Sequence, residues 1–235
     1  MTLDGIEKLL LTKYPKKGGK SPKVNFTRYA DDFIVTANSE ETAREIRDMI
    51  IVFLKERGLE LSDDKTLITN INEGFDFLGW NFRKYNGKLL IKPSKKSIKK
   101  FTETISQTIK KGMAWSQEVL ISKLNPIIRG WTNYHNFVVS SEVFQTLDHR
   151  IWEMLWRWAK RRHPNKSKDW IVNKYWKRSN TRRWNFRAEI NGLLLLSKTR
   201  IYRHIPLKLQ MNTFLDPDYF YKRKNKLSFR KGYSI

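Results

Sequence analysis

Two adjacent carboxylates are the residues of this chain best suited to metal chemistry. Asp31 and Asp32 follow Tyr29-Ala30, and the runs at residues 24–28 and 33–37 are β-prone, so we expect a hairpin with both acids at its turn. Neighbouring carboxylates are unfavourable unless a cation or water compensates them. Mg²⁺ takes a few carboxylates together with substrate phosphates, and such a site can activate a hydroxyl nucleophile. The dipeptide by itself favours the simpler alternative, a solvated Asp-Asp turn.

Positive charge is concentrated in the later part of the chain. The 235 residues carry a net charge of +24, of which +1 belongs to residues 1–90 and +23 to residues 91–235. Such self-repulsion adds nothing to fold stability, so we expect a polyanionic partner. Eight of the nine tryptophans also follow residue 90, and aromatic rings among cations suit nucleic acid. Most tryptophans fill cores, however, so the prediction depends on the charge and not on the rings.

Composition excludes several classes of protein. Cysteine is absent, which rules out disulfides and thiolate zinc sites. A hydrophobic content of 40% is too high for a disordered chain, and no apolar run approaches a membrane span. Acidic residues interrupt residues 2–7, so no secretory signal is expected there. These features predict a globular cytoplasmic protein of bacterial type without a membrane partner, with an organelle as the alternative location.

The carboxylate turn needs a mixed set of elements around it. A helix within residues 1–11 should precede the hairpin, and Ser39 should cap a helix that Gly58 ends. Strands are expected around residues 67–69, 75–82 and 89–91. The order of these elements predicts an α+β unit.

Helical periodicity replaces this pattern after Pro93. Ser94 should cap a helix that Gly112 ends, and Ser116 should begin a second one. Asn125-Pro126 should interrupt that helix and restart it, and a third helix should span residues 142–161. We therefore expect a helical bundle, followed from about residue 180 by a basic tail without an assignable pattern.

Three blocks of the first part resemble reverse transcriptases. Tyr29-Ala30-Asp31-Asp32 matches the YADD box of that family. Residues 58–66 resemble the block after it, in which a helix ends and a lysine precedes a strand. Residues 75–80, Phe-Asp-Phe-Leu-Gly-Trp, resemble the next block, a hairpin near the primer end. Their order and spacing together are far more specific than any one block.

The later part resembles the maturase-specific thumb, or domain X, of group II intron proteins. Residues 124–134, Leu-Asn-Pro-Ile-Ile-Arg-Gly-Trp-Thr-Asn-Tyr, carry this resemblance, and residues 156–164 and 171–176 fit the same region. Residues 203–205 and 216–220 resemble the basic segment that follows. The whole chain is thus similar to the C-terminal portion of a group II intron reverse transcriptase and maturase. The resemblance implies a partial palm at 1–92, a helical thumb at 93–180 and a basic segment at 181–235.

The resemblance also implies roles near the polymerase site. Asp31 and Asp32 would be the catalytic Mg²⁺ ligands, and Lys65 would lie near the triphosphate. An equal alternative is that Lys65 is a surface lysine whose charge compensates Asp63 and Asp64. Five residues would lie near the primer or nucleotide, although two of them, Phe77 and Leu78, fit a core equally well: Tyr29, Phe77, Leu78, Gly79 and Trp80.

Lysines and arginines of the thumb are the expected phosphate contacts, because such runs serve charge and not a core. They are Lys95, Lys96, Lys99, Lys100, Arg129, Arg157, Lys160, Arg161 and Arg162. Trp131 and Tyr134 are expected to pack, and the spacing of the histidines predicts no metal site.

The chain departs from the family pattern before the YADD box. Family members carry fingers and palm residues before the YADD box, including another metal-binding aspartate, whereas Asp4 and Glu7 here lie on the first helix. The chain is therefore expected to be inactive as an RNA-directed DNA polymerase unless a complementing N-terminal half is supplied. Its expected partners are group II intron RNA and an RNA/DNA duplex. The alternatives are a non-catalytic RNA-binding maturase fragment that supports splicing and a decayed remnant of a mobile element.

Overall fold

The protein combines helices with small antiparallel sheets. The computed structural model describes residues 3–15, 23–62, 64–179, 182–202, 211 and 213–231, without the side chains at 178–179, 182–183 and 226–231. Seven α-helices and three antiparallel sheets lie in these ranges, which confirms the α+β class. The chain forms two compact units, Met1–Asn70 and Ile71–Ile235. The expected functional boundary at residue 92 is a different kind of division and stays a prediction.

The first unit packs two helices with one hairpin. Helix α1 (Ile6–Lys13) precedes β1 (Asn25–Tyr29) and β2 (Asp32–Thr36), and α2 (Glu40–Lys55) follows. Ser39 caps α2 as predicted, because its side chain accepts a hydrogen bond from the backbone N–H of Thr42. The buried core of this unit consists of Ile6, Leu10, Val24, Ile46, Ile50, Phe53 and Leu54.

The second unit begins with a three-stranded antiparallel sheet. Its strands are β3 (Phe75–Phe77), β4 (Trp80–Tyr85) and β5 (Lys88–Pro93). The strand expected around residues 75–82 is divided into β3 and β4, because Leu78 and Gly79 both adopt positive φ, of 49° and 79°, and turn the chain. This is the hairpin that the resemblance of residues 75–80 implies. The strand expected at 67–69 was wrong. Leu67 is 79% exposed there, and β-prone residues form a strand only where another strand completes the ladder.

Four helices follow the sheet: α3 (Lys95–Lys111), α4 (Gln117–His135), α5 (Ser141–Arg162) and α6 (Lys168–Tyr175). Ser94 and Ser116 cap α3 and α4 as predicted. The predicted interruption at Asn125-Pro126 was wrong, since α4 continues through Pro126. Proline removes one helical hydrogen bond, but burial of Leu124 and Ile128 on either side holds the helix together.

The core of this unit connects the ends of its helices. Trp158 of α5 donates from its indole N–H to the carbonyl of Gly112, which follows α3, over 2.9 Å. Arg162 donates to the carbonyls of Met113 and Trp115 and lies over the Trp158 ring. A Cβ at Gly112 would lie 2.7 Å from the Trp115 ring, so this corner requires glycine. Aromatic and aliphatic side chains from α3 to α6, and from the segment between Trp176 and Leu196, fill the rest of the core.

The tail contains more structure than the sequence predicts. Strands β6 (Trp176–Ser179) and β7 (Arg182–Phe186) form a hairpin, a 3₁₀ turn spans Leu196–Lys198, and α7 spans Pro217–Lys231. Residues 203–205, which carry part of the family resemblance, lie outside the described residues. None of the described helices combines the length and apolar character needed to cross a bilayer.

Candidate functional site

The two candidate metal ligands lie at the turn between β1 and β2. Tyr29 pairs with Asp32 across the hairpin, so Ala30 and Asp31 form a two-residue turn. Ala30 adopts a φ of 50°, a left-handed conformation that disfavours residues with a Cβ. Tyr29 is 65% exposed, and both aspartates are exposed. The hairpin thus presents one aromatic ring and two carboxylates to solvent.

This turn has the donor chemistry of a magnesium site but only part of a ligand set. Carboxylate oxygens are the hard ligands that Mg²⁺ prefers, and phosphates and water commonly supply the rest. Among the residues that the structure describes, no group of three or more acidic or histidine side chains could hold a metal. Among the described residues, Asp31 and Asp32 thus offer two carboxylates of a Mg²⁺ site, which substrate phosphates and water would complete.

Lys65 lies in a turn after α2. Its backbone N–H donates to the carbonyl of Ser62 at 3.1 Å, and its side chain is exposed. Asp64 is exposed next to it, whereas Asp63 lies outside the described residues. Neither the role near a triphosphate nor the surface alternative for Lys65 is tested by this arrangement.

Four of the five residues expected near the primer or nucleotide form a second tight turn. Phe77 and Trp80 pair across the β3–β4 hairpin, with Leu78 and Gly79 between them. Tyr134 of α4 donates its hydroxyl proton to the Leu78 carbonyl at 2.6 Å, and its ring stacks on Trp80 with centroids 5.0 Å apart. All four hairpin residues are half-buried, so they are held against the helices and still reach the surface.

A buried histidine connects this hairpin to α3 and α4. Trp80 donates from Nε1 to Nδ1 of His135 at 3.1 Å, and His135 Nε2 lies 3.1 Å from the hydroxyl of Ser97. Trp131 donates to the same hydroxyl and packs on Phe101. Burial lowers the pKa of His135 to about 4, so the ring is neutral and Nε2 donates to Ser97. The packing role expected for Trp131 and Tyr134 agrees with these contacts.

Lysines cover the beginning of α3. Lys95, Lys96, Lys99 and Lys100 are all exposed, while Phe101, Ile105 and Ile109 of the same helix are buried. The first turn of α3 contains no acidic residue. Lys99 approaches Glu103 at 4.0 Å, which is an ion pair at the edge of the distance range. This helix end is a compact cationic surface.

A second group of cations lies at the end of α5. Arg157, Lys160 and Arg161 are exposed, whereas Arg162 is half-buried and donates to two backbone carbonyls. Arg162 therefore clamps the corner after α3, which sequence reasoning did not anticipate. Earlier in α5, the rings of His149, Trp152 and Trp156 stack nearly parallel, and Trp152 is 40% exposed.

Arg129 lies apart from these groups, exposed on α4 beside a cleft. The other wall of this cleft comes from residues 185–199, which carry Arg187 and Lys198. Sequence reasoning missed both cations, together with Asn125 and Asp148, which hold that wall in place. The segment lacks helical or strand periodicity, so no signal in the sequence placed it against α4.

Family models match both parts of the chain. The reverse transcriptase (RNA-dependent DNA polymerase) model matches residues 1–82, which include the carboxylate turn and the β3–β4 hairpin. The model of the group II intron maturase-specific domain matches residues 98–176, from α3 to the end of α6. These two matches follow the order that the motifs predict.

Curated relatives point the same way. A maturase-like protein 1 of Euglena longa is 29% identical over 138 residues, which cover 57% of this chain and 27% of that protein. The ribosomal operon-associated A protein of Euglena longa is 32% identical, over 54% of this chain and 25% of that protein. The group II intron-encoded protein LtrA of Lactococcus lactis is 33% identical over 34% of this chain and 16% of its own length.

The chain spans about a quarter of the length of the first two relatives, and less of LtrA. A reverse-transcriptase match and a group II intron maturase-specific match follow one another along the chain. The chain is thus similar to the C-terminal portion of group II intron reverse transcriptases and maturases.

Proposed function

We propose that this chain binds folded group II intron RNA through the cationic helices of its second unit and thereby supports splicing. The match to the group II intron maturase-specific domain and the similarity to LtrA, a group II intron-encoded protein, motivate the choice of RNA. The observation that carries the proposal is the placement of four lysines at the start of α3. Residues 93–180 of the second unit would correspond to the maturase thumb, and residues 1–92, which extend into the second unit, to the reverse-transcriptase palm.

The position of these lysines is unfavourable for the isolated protein. Lys95 and Lys96 lie in the first turn of α3, where the helix dipole disfavours cations. Lys95 and Lys99 are also spaced by four residues, as are Lys96 and Lys100, so each pair brings like charges together on the helix surface. Phosphates compensate both effects, because they bring negative charge to a helix N-terminus and to the lysines.

The end of α5 offers a second set of phosphate contacts. Arg157, Lys160 and Arg161 are exposed there, and basic residues are favourable in a last helical turn. Since these cations also stabilise the helix end, their presence does not by itself indicate a binding partner. Together with the α3 lysines, they give the second unit two exposed cationic helix ends.

Splicing of a group II intron transcript provides the test. The full chain should bind the transcript and raise its splicing rate at a Mg²⁺ concentration too low for unassisted splicing. The test variant is the chain with Lys95, Lys96, Lys99 and Lys100 replaced by glutamine. It should lose most of the RNA binding and most of the increase in splicing rate. Tight binding without any change in splicing would reduce the proposal to RNA binding.

RNA-directed DNA synthesis is the second candidate, favoured by the carboxylate turn. Asp31 and Asp32 would hold Mg²⁺, which supplies Lewis-acid stabilisation of the phosphates, and the β3–β4 turn would contact a primer in an RNA/DNA duplex. Primer extension by the chain alone and with a polypeptide carrying reverse-transcriptase fingers tests this. Extension only in the mixture, abolished by Asp31→Asn, is expected; no extension in the mixture would refute it.

A further inference from the structure

A cleft of about 580 Å³ lies between α4 and residues 185–199. We propose that it receives one unpaired nucleotide of the bound RNA, an inference that rests on the proposed RNA-binding function. The volume lies within the range of about 300–1,000 Å³ that is usual for small-ligand sites. It accommodates a base with its sugar and phosphate but not a duplex.

Hydrogen bonds hold the outer wall of the cleft in place. Asn125 of α4 donates to the carbonyl of Gly192 at 3.0 Å and accepts from the N–H of Leu194 at 2.9 Å. Asp148 of α5 accepts from the N–H groups of Leu196 and Ser197 at 2.8 and 3.0 Å. Two helices thus fix this irregular segment, so the cleft is formed before a ligand arrives and little ordering is needed on binding.

The charge of the cleft suits a phosphate. Arg129, Arg187 and Lys198 line it, and no acidic side chain is among the described residues that do. All three cations are exposed, so they can reach a ligand at the mouth. Cations without carboxylates attract an anion, and two of the three are arginines, which match phosphate oxygens with paired donors.

The floor of the cleft suits a nucleobase. Ile128, Leu193 and Leu195 contribute apolar surface on which a flat ring can lie. Asn185 also lines the cleft, and its Oδ1 is buried without a hydrogen-bond partner among the described residues. A buried amide oxygen without a donor is costly, and the amino or imino N–H of a base would satisfy it.

An unpaired nucleotide fits this combination better than a paired one. In a paired A-form helix the base edges are occupied and the faces are stacked, so proteins recognise loops and bulges whose bases are free. A base on the apolar floor, a phosphate at the three cations and a donor towards Asn185 would use every feature of the cleft. The cationic ends of α3 and α5 would meanwhile hold paired regions by their phosphates.

Three short RNA hairpins test the proposal with the full chain, by competition in fluorescence anisotropy at fixed salt. One has a single bulged nucleotide in its stem, one has the same bulge without the base, and one is fully paired. The chain should prefer the bulged base about tenfold over both other hairpins, because burial of a base against apolar surface contributes on that order. Equal binding of all three hairpins would overturn the proposal and leave RNA binding intact.

Two double variants test whether the preference for the bulged hairpin arises in the cleft. Arg187→Gln with Lys198→Gln should bring the bulged hairpin down to the level of the paired one. Lys110→Gln with Lys168→Gln removes the same charge from exposed positions on α3 and α6 and should weaken all three hairpins alike. A preference that survives the first double variant would refute the cleft as its source, and failure of every hairpin to bind would remove the proposed function as well.

Discussion

Trp80 donates its indole N–H to Nδ1 of His135 over 3.1 Å, which ties the β3–β4 hairpin to helix α4. The two residues are 55 positions apart in the sequence and come from regions matched by different family models. His135 is fully buried and continues the connection to Ser97 at the start of α3. One neutral imidazole therefore positions the expected primer-side turn against the helices that carry the cationic surface.

This histidine should make the stability of the protein fall in mild acid. Burial lowers the pKa of His135 to about 4 in the folded state, against about 6.5 in an unfolded chain, so the unfolded state binds more protons between these values. Stability is complete above the unfolded value and is lost as pH falls towards the folded one. We expect His135 to lower the free energy of unfolding by about 2 kcal/mol between about pH 7 and about pH 5, measured by urea denaturation.

The matched variant is His135→Gln, which keeps polar groups but does not titrate. Its pH dependence should be smaller than that of the wild type by this amount. His163, whose pKa is lowered by desolvation and by Lys174, Arg162 and Lys166, titrates in both proteins and cancels in the comparison. Identical pH profiles would contradict a buried neutral His135.

Asn125 should contribute to stability through the segment it holds. Asn125→Ala removes one hydrogen bond to Gly192 and one from Leu194, and leaves the carbonyl of half-buried Gly192 without this donor. Replacement should cost about 1–3 kcal/mol in urea denaturation. Lys123→Ala on the exposed side of the same helix is the control and should change stability by less than about 0.5 kcal/mol. Equal effects of the two substitutions would mean that the Asn125 hydrogen bonds do not stabilise the segment at residues 185–199.

The α3 lysines should affect RNA binding and stability in opposite directions. Glutamine at Lys95, Lys96, Lys99 and Lys100 should flatten the dependence of log K on log salt by about 3 units, because each lost phosphate contact removes about 0.7–0.9. The same variant should be slightly more stable, since like charges at a helix N-terminus are removed. The chain with Lys8, Lys55, Lys84 and Lys88 replaced by glutamine has the same net charge and should keep the steep slope. Equal slopes for the two variants would mean that only net charge matters.

The carboxylate turn should be dispensable for RNA affinity. Asp31→Asn with Asp32→Asn changes exposed residues of the first unit, whereas the proposed phosphate contacts belong to the second. The dissociation constant for intron RNA should change by less than about twofold, because these carboxylates make none of the proposed phosphate contacts. Nitrocellulose filter binding of the two proteins in parallel measures this. A tenfold loss of affinity would refute the division of labour.

Local signals in the sequence placed most elements of the fold. Serines before helical periodicity identified three caps, at Ser39, Ser94 and Ser116, because a side-chain oxygen there satisfies a free backbone N–H. The carboxylate hairpin followed from two β-prone runs around a polar turn. The site residues were reached through the family resemblance, and their chemical roles stay predictions.

Features that depend on tertiary contacts were not predictable. Pro126 was expected to break α4, but the packing of its neighbours outweighs one lost hydrogen bond. Residues 67–69 have the composition of a strand, yet nothing pairs with them in the described structure. Arg162 looked like a free cation in a basic run, and only the fold shows that it holds two carbonyls. Arg187 and Lys198 reach α4 through a segment without periodicity.

The central claim is that the second unit binds structured intron RNA through many phosphate contacts. The most direct test is the equilibrium affinity of the full chain for a folded group II intron transcript, measured across a range of salt concentrations beside an unrelated RNA of equal length. Tighter binding to the intron and a steep linear fall of log K with log salt are predicted. A shallow slope, or equal affinity for both RNAs at every salt concentration, would contradict it.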